Sequence, residues 1–181
     1  IRSDGSSRFG QDKRFGFFPS ASAGWRFIEE EGVKDLNWLS DGKLRFSLGS
    51  TGNESIGGYT SRGEFTLGTN YLDFSGASPT VMPNASLTWE TTHQYNLGLE
   101  LGFLQNRILF SADAYLKRTS DLLYNVPLPS TTGFDYVTRN IGAIENRGLE
   151  FSLQTRNLQG AFKWNTNINV SLNRNKVTSL P

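Results

Sequence analysis

The sequence predicts an all-β protein, an antiparallel transmembrane β-barrel segment of about six strands. Apolar and polar residues alternate with a period of two, and several of these runs reach ten or more residues, whereas strands of soluble proteins usually have ~5–6. Tight turns and long polar loops alternate between the runs, as in membrane β-barrels. The polar half of the last run is rich in Asn, Ser and Lys, which suits a water-filled interior better than a packed core.

Six segments carry the alternation and are predicted as strands. The clearest are residues 94–103, 108–117, 149–154 and 162–173, and weaker alternation covers 19–27 and 43–48. A short additional strand is expected before Asp4. Residues 104–106 and 157–160 read as tight turns, and residues 52–84 and 119–139 read as long loops rich in Gly, Ser, Thr and Pro. The segment 28–42 lies on the short-turn side but is long, and a short helix is expected to start at Glu29.

The first tight turn allows a prediction of strand register. If Gln105 and Asn106 form a two-residue turn, the two flanking runs pair in one defined way. Apolar residues then face apolar residues throughout, as a correct register requires. The predicted pairs are Phe103 with Ile108, Leu101 with Phe110, Leu99 with Ala112, Gly98 with Asp113, and Gln94 with Lys117. The second turn does not fix its register as clearly.

Composition excludes several functional classes. Lys plus Arg number 18 and Asp plus Glu number 17, so the net charge of +1 provides no basic surface for nucleic acid. The chain has no cysteine and one histidine, and no cluster with metal-ligand spacing is recognisable. No apolar run reaches the ~18 residues of a membrane helix. The mean hydropathy of −0.42 is compatible with a barrel, because barrel strands are apolar on one face only.

Aromatic residues fall at both ends of the predicted strands, as in the girdles of a membrane barrel. Phe17, for example, lies near the long-loop end of its strand. The residues that we assign to the girdles are Trp25, Phe27, Phe103, Phe162 and Trp164 at the short-turn ends and Trp89 at a long-loop end.

Charged residues on the polar face are expected to face the lumen and to neutralise one another, with Lys43 and Arg45 on the same face. The predicted lumen-facing residues are Glu100, Asp113, Lys117, Glu150 and Lys163. Paired catalytic acids are the alternative. His93 has no nucleophile motif beside it, so a structural role is expected and an enzyme is not. We expect no catalytic residue, no metal and no cofactor.

Aromatic side chains in or beside the long loops are candidates for contact with a substrate or a lid protein, because aromatic faces suit sugar stacking and protein anchoring. Ordinary packing within the loops is the alternative. The candidates are Tyr59, Phe65, Tyr71, Phe74, Phe134 and Tyr136.

Segments in the same order resemble the SusC/RagA family of TonB-dependent outer-membrane transporters. The matching motifs are Arg14-Phe15-Gly16-Phe17-Phe18-Pro19-Ser20, Lys43-Leu44-Arg45-Phe46-Ser47-Leu48-Gly49-Ser50-Thr51-Gly52-Asn53, Leu87-Thr88-Trp89-Glu90-Thr91-Thr92, Asn106-Arg107, Lys117-Arg118-Thr119-Ser120-Asp121-Leu122-Leu123 and Glu145-Asn146-Arg147-Gly148-Leu149-Glu150. The resemblance covers roughly residues 14–177.

The resemblance implies that residues 1–181 are a partial β-barrel domain from the later part of a 22-stranded barrel, with the plug domain and the remaining strands absent from this chain. It implies import of oligosaccharides, other glycans or peptides across the bacterial outer membrane. It also implies three partners: a SusD-like surface lipoprotein, TonB through parts absent here, and the lipid bilayer. From the residues themselves a non-transporting β-rich module, such as an adhesin or a soluble sandwich, stays open as the alternative, and an outer-membrane enzyme is a more distant one.

Overall fold

The computed structural model describes residues 1–71 and 74–180, and nearly all of its regular structure is β-strand. Short 3-10 helices cover Gln11–Lys13, Phe27–Glu29 and Ser130–Thr132. Within the described part of the chain no helix is long and apolar enough to cross a membrane. The strands are β1 (Arg2–Gly5), β2 (Phe15–Phe18), β3 (Ser20–Trp25), β4 (Leu39–Asn53), β5 (Glu64–Tyr71), β6 (Phe74–Val81), β7 (Glu90–Phe103), β8 (Ile108–Ser120), β9 (Leu123–Pro127), β10 (Tyr136–Asn140), β11 (Ala143–Gln159) and β12 (Lys163–Ser179).

Six of these strands form one antiparallel sheet in the order β12-β11-β8-β7-β4-β3, which confirms the predicted fold class. Within the described residues this sheet is open, with β3 and β12 at its edges. The two long connections, expected as loops, each fold into a hairpin, β5 with β6 and β9 with β10. We call this end of the sheet the long-loop end, and the opposite end the short-turn end. The expected short strand near Asp4 is β1, which pairs with β2 outside the main sheet.

The register predicted from the first tight turn is confirmed at all five pairs, from Phe103 with Ile108 to Gln94 with Lys117. The amide of Arg107 donates to the carbonyl of Leu104 at 3.2 Å and closes the turn. The two central residues, Gln105 and Asn106, have φ angles of 57° and 60°. Positive φ at both central positions gives a two-residue turn the twist of its flanking strands, and this fixes the pairing along both strands.

The second tight turn lies at residues 160–162, not at 157–160, because β11 continues to Gln159. A β-bulge lies between Arg156 and Leu158, and Asn157 has no partner across the hairpin. The Asn157 side chain stays satisfied, accepting from Thr155 Oγ1 at 2.9 Å and donating to Thr166 Oγ1 at 2.7 Å. One unpaired residue is enough to shift the apparent turn position.

The connection between β3 and β4 is also placed differently from the expectation. A 3-10 helix covers Phe27–Glu29 and ends at Glu29, where a helix was expected to begin. Irregular turns follow, in which the amides of Val33 and Lys34 both donate to the carbonyl of Glu30 at 3.1 Å. The strand β4 then starts at Leu39.

Two rows of side chains are apolar across all six strands of the main sheet and define its apolar face. Side chains alternate between the two faces along a strand, and register partners on neighbouring strands point to the same face. The rows can therefore be traced from the register. They are Trp25-Leu44-Leu99-Ala112-Phe151-Val170 and Ala23-Phe46-Leu97-Ala114-Leu149-Leu172. Many of these side chains are exposed, including Val170 at 49% and Leu172 at 58%. An apolar surface of this size left uncovered is typical of contact with lipid.

The long-loop end carries a small buried core of its own. Phe9, Phe18, Leu87 and Trp89 pack together, with ring centroids of Trp89 lying 5.1 Å from Phe9 and 5.5 Å from Phe18. Trp89 Nε1 donates to the carbonyl of Arg14 at 3.2 Å, and its side chain is only 7% exposed. The expected position of Trp89 in a lipid-facing girdle is therefore wrong: its indole fills the core that ties the long loops together.

Candidate functional site

The polar face of the main sheet carries a cluster of charged side chains contributed by three neighbouring strands. Arg45 of β4 lies 2.9 Å from Asp113 of β8, measured from Nη2 to Oδ1. Its Nε lies 2.7 Å from Glu100 Oε1 of β7, although this N–H is not aligned for a hydrogen bond. Lys43 Nζ lies 4.0 Å from Glu100 Oε2. Two cations and two carboxylates thus neutralise one another, in a partly exposed setting.

Gly98 of β7 makes this cluster geometrically possible. In the register of the sheet Gly98 lies between Arg45 and Asp113. A Cβ at this position would lie 2.5 Å from Asp113 Oδ1 and 2.8 Å from Arg45 Nη2. Because Gly98 has no side chain, the guanidinium can cross over β7 and reach the carboxylate two strands away.

The predicted lumen-facing residues are only partly brought together. Glu100 and Asp113 belong to the charge cluster, and Glu150 is the register partner of Asp113 on β11. Lys117 lies further towards the long-loop end, with its Nζ 5.6 Å from the ring centroid of Tyr115. Lys163 begins β12 at the short-turn end. The polar face therefore carries a local charge cluster, while its lysines at either end stand apart from it.

Uncharged polar side chains continue the same face towards the long-loop end. Asn96 Nδ2 donates to Ser47 Oγ at 3.0 Å, and Gln94 Nε2 donates to Asn96 Oδ1 at 2.9 Å. Beyond them Thr92 and Thr119 share a hydrogen bond of 2.8 Å across β7 and β8. Such a hydrogen-bonded polar surface is what a water-filled interior requires.

A cleft of about 670 Å³ opens at the long-loop end, between the β5–β6 hairpin and the β9–β10 hairpin. Its lining combines two tyrosines, an amide, hydroxyls and one group of each charge. These side chains offer hydrogen bonds and aromatic faces together, which are the features that bind sugars or peptide backbones. The polar and charged lining residues are Arg8, Ser55, Thr60, Glu64, Tyr124, Asn125, Tyr136 and Thr138.

One of the aromatic residues predicted to contact a ligand, Tyr136, lines this cleft. Tyr59, Phe65 and Phe74 are exposed elsewhere on the long loops, and Phe134 is half-buried outside the cleft lining. The side chain of Tyr71 lies outside the described residues. Sequence reasoning missed Tyr124 and Asn125, which lie in β9 within the segment expected to be a long loop. In the hairpin Asn125 is the register partner of Thr138, and Tyr124 is the partner of Arg139.

The remaining girdle residues lie at the short-turn end, in or beside different strands of the sheet. Trp25 packs edge-to-face on Phe27 with centroids 5.9 Å apart, and its Nε1 donates to Glu30 Oε1 at 3.0 Å. Phe103 stacks on Trp38 at 5.9 Å, a partner that the sequence pattern did not suggest. Phe162 and Trp164 are exposed at the start of β12. Their contact with lipid stays a prediction.

Chemistry-bearing side chains do not assemble into a catalytic or metal-binding group in the described part of the chain. His93 Nδ1 and Ser50 Oγ share a hydrogen bond of 2.9 Å on the apolar side of the sheet. No group of three or more His, Asp or Glu side chains is placed to hold a metal ion among the described residues.

Comparison with known proteins gives an independent view of the same chain. The family model described as "TonB dependent receptor-like, beta-barrel" matches residues 1–179. TonB-dependent receptor P39 of Formosa agariphila is 42% identical over 99% of this chain and 17% of that receptor. TonB-dependent receptor SusC of Bacteroides thetaiotaomicron is 40% identical over 99% of this chain and 19% of its own length. The chain thus spans less than a fifth of these curated relatives.

Solved structures agree with the sequence relatives. A structure of the RagAB peptide transporter superposes with a TM-score of 0.88 at 33% identity, covering 96% of this chain and 19% of that one. A second structure, of the RagAB peptide importer in its "closed-closed" state, gives a TM-score of 0.90 at 34% identity and covers 98% of this chain and 20% of that one. Together with the two-faced sheet, these matches place the chain in the bacterial outer membrane, and the chain belongs to the TonB-dependent receptor-like β-barrel family, with SusC and RagA among its relatives.

Proposed function

We propose that residues 1–181 form part of the β-barrel domain of a TonB-dependent importer, with its plug domain and further strands encoded outside this chain. The observation that carries the proposal is the two-faced sheet. Its apolar rows suit the hydrocarbon of the bilayer, and its opposite face carries the Arg45 charge cluster and a hydrogen-bonded polar surface. A sheet with these two faces fits the wall of a water-filled passage.

The proposed cargo is an oligomeric nutrient, either a peptide or a glycan. The cleft between the two loop hairpins supports this, because Tyr124 and Tyr136 offer aromatic faces while Asn125 and Thr138 offer hydrogen-bonding groups. Arg8 and Glu64 add one charge of each sign, which suits the termini of a peptide. The similarity to a peptide transporter favours peptides, and the similarity to SusC leaves glycans in place.

The proposed partners are a SusD-like surface lipoprotein at the long-loop end, and TonB, reached through parts of the protein outside this chain. We further propose that the protein catalyses no bond-breaking step. The relatives named above are receptors and transporters, which supports a transport role over an enzymatic one. The alternative of a soluble sandwich or adhesin-like module is disfavoured by the uncovered apolar face, because such a module would hide this surface in its core.

Uptake by living cells tests the proposal. Fluorescent oligopeptides and oligosaccharides would be offered to cells that express the protein at its natural length and to cells in which its gene is deleted. We expect accumulation of one cargo class in the expressing cells alone, and loss of that accumulation when a protonophore removes the proton gradient. Equal uptake in both strains for every cargo would contradict the transport role.

A further inference from the structure

The apolar face ends abruptly at the long-loop end, and it ends in positive charge. The row that follows the two fully apolar rows contains Leu48, Tyr95 and Leu116 on β4, β7 and β8, but Arg147 and Arg174 on β11 and β12. The next row contains Arg118, Glu145 and Lys176. We call Arg118, Arg147, Arg174 and Lys176 the basic border. Basic side chains at the end of an apolar band fit the depth at which a bilayer changes from hydrocarbon to headgroups.

Arg147 and Arg174 are direct register partners on neighbouring strands. Like charges placed directly opposite each other destabilise a strand pair. Arg118 is paired with Glu145, at 2.9 Å from Nε to Oε2. Among the described side chains, neither Arg147 nor Arg174 has a carboxylate within 4.0 Å or a hydrogen-bond partner. Two guanidinium groups therefore lie on neighbouring strands at one edge of the apolar face, and no carboxylate of the described residues pairs with them.

A groove of about 600 Å³ lies at the same place and joins the charge to the apolar face. Its floor is formed by apolar side chains of five strands, and its long-loop rim by three arginines and one glutamate. The apolar residues are Phe46, Tyr95, Leu97, Ala114, Leu116, Leu149 and Leu172, and the charged residues are Arg118, Glu145, Arg147 and Arg174.

We propose that this groove binds a phosphorylated lipid of the outer leaflet, with its phosphate between Arg147 and Arg174 and its acyl chains along the apolar floor. Guanidinium groups bind phosphate through paired N–H donors and tolerate low-polarity surroundings better than an ammonium group does. A phosphate between the two arginines also removes their mutual repulsion. The floor is continuous with the lipid-facing rows, so a ligand that arrives within the bilayer reaches it directly, whereas an acidic protein segment would have to displace lipid.

The proposal can be tested with purified protein of natural length in a non-ionic detergent. Native mass spectrometry would measure the retention of monophosphorylated lipid A and of the same lipid after enzymatic removal of its phosphate. We expect the dephosphorylated lipid to bind roughly tenfold more weakly, because the charge-assisted hydrogen bonds are lost. This comparison uses the unaltered protein, so it does not depend on the folding of any variant.

The double substitution Arg147→Gln and Arg174→Gln should abolish the preference for the phosphorylated lipid. The matched control is Arg139→Gln with Arg156→Gln, which removes the same charge from β10 and the short-turn end of β11, outside the groove. The control should keep the preference. Each protein would be run on a denaturing gel with and without boiling. Slower migration of the boiled sample than of the unboiled sample shows that the barrel was folded before boiling.

Equal retention of the two lipids by the unaltered protein would overturn the proposal and would leave an acidic protein segment as the occupant of the arginine pair. A preference that survives in the folded Arg147/Arg174 variant would also overturn it. The result is independent of transport, because lipid retention is measured without any cargo.

Discussion

The guanidinium of Arg45 reaches the carboxylate of Asp113 across a complete intervening strand, with 2.9 Å between Nη2 and Oδ1. Both side chains are more than a third exposed to solvent, at 41% and 34%. Solvent therefore screens the ion pair, and its coupling energy should be modest. A double-substitution cycle with Arg45→Gln and Asp113→Asn should give a coupling of about 0.5 kcal/mol. Urea unfolding of the full-length protein, followed by heat-modifiable gel mobility, measures it, and a coupling of zero would mean that the pair is not formed in solution.

Gly98 should tolerate a side chain poorly, because a Cβ there would collide with both members of the Arg45–Asp113 pair. We expect Gly98→Val to destabilise the barrel by about 2 kcal/mol. The matched control is Gly24→Val in the same row, where a Cβ would meet Lys43 Cε at an ordinary 3.6 Å. Its effect should stay within about 0.5 kcal/mol. Equal unfolding midpoints for the two variants would contradict the crowding argument.

The two faces of β12 should respond in opposite ways to a new charge. Val170 lies in a fully apolar row, and its neighbour Asn169 lies on the polar face. Val170→Arg should cost about 2–4 kcal/mol if that row faces the bilayer centre, whereas Asn169→Arg should be nearly neutral. The yield of heat-modifiable barrel in outer-membrane fractions would report both. If both arginine variants assembled equally well, the assignment of the apolar face to lipid would be wrong.

Trp89 should stabilise the long loops more than the sheet. Its indole packs on Phe9 and Phe18 and donates to the Arg14 carbonyl, so Trp89→Ala should cost about 3–5 kcal/mol locally. We expect faster cleavage of the surface loops by added protease on intact cells, with the membrane-embedded strands still protected. Trp164→Ala is the control, since Trp164 is exposed at the short-turn end. Unchanged loop cleavage in the Trp89 variant would show that the loop core does not hold the hairpins.

Tyr136 should contribute to cargo binding, and Tyr59 should not. Tyr136 lines the cleft between the loop hairpins, while Tyr59 is 65% exposed outside its lining. Loss of an aromatic stacking surface is worth about 1 kcal/mol, so Tyr136→Ala should weaken binding of the proposed peptide or glycan cargo several-fold. Isothermal titration with the full-length protein would compare the two alanine variants. A stronger effect at Tyr59 would move the binding surface away from the cleft.

The sequence alone predicted the register of the β7–β8 hairpin, because residues close together in the chain determine it. The two runs of alternation are close enough for a two-residue turn at Gln105 and Asn106 to join them, and the alternation on both sides then permits a single register. The faces of the six strands follow from the same alternation. The charge cluster was anticipated as a set of residues on one face, but its membership depends on the space at Gly98, which only the paired neighbours reveal.

The elements that sequence reasoning missed depend on contacts between distant segments. The loop hairpins lack strict alternation, since Gly68 has a φ of 92° and Pro79 interrupts the pattern of β6. Trp89 resembled a girdle residue because it stands just before a strand, yet its surroundings come from Phe9 and Phe18 far earlier in the chain. The predicted position of the turn after β11 was wrong because an alternation pattern cannot reveal an unpaired residue in a strand.

The bulge at Asn157 reverses which face each later residue of β11 occupies, and Leu158 therefore pairs with Trp164. The carbonyls of Arg156 and Asn157 accept from Arg107 Nη2 at 3.2 Å and 3.1 Å, so the bulge is also fastened to the neighbouring hairpin. One residue can therefore be added or removed at the bulge without changing the pairing of the preceding residues of β11. Insertions and deletions during evolution should accumulate near the bulge, where one residue more or less is absorbed locally, and should be excluded from residues 144–155, where a single one would turn the lipid-facing side chains into the lumen.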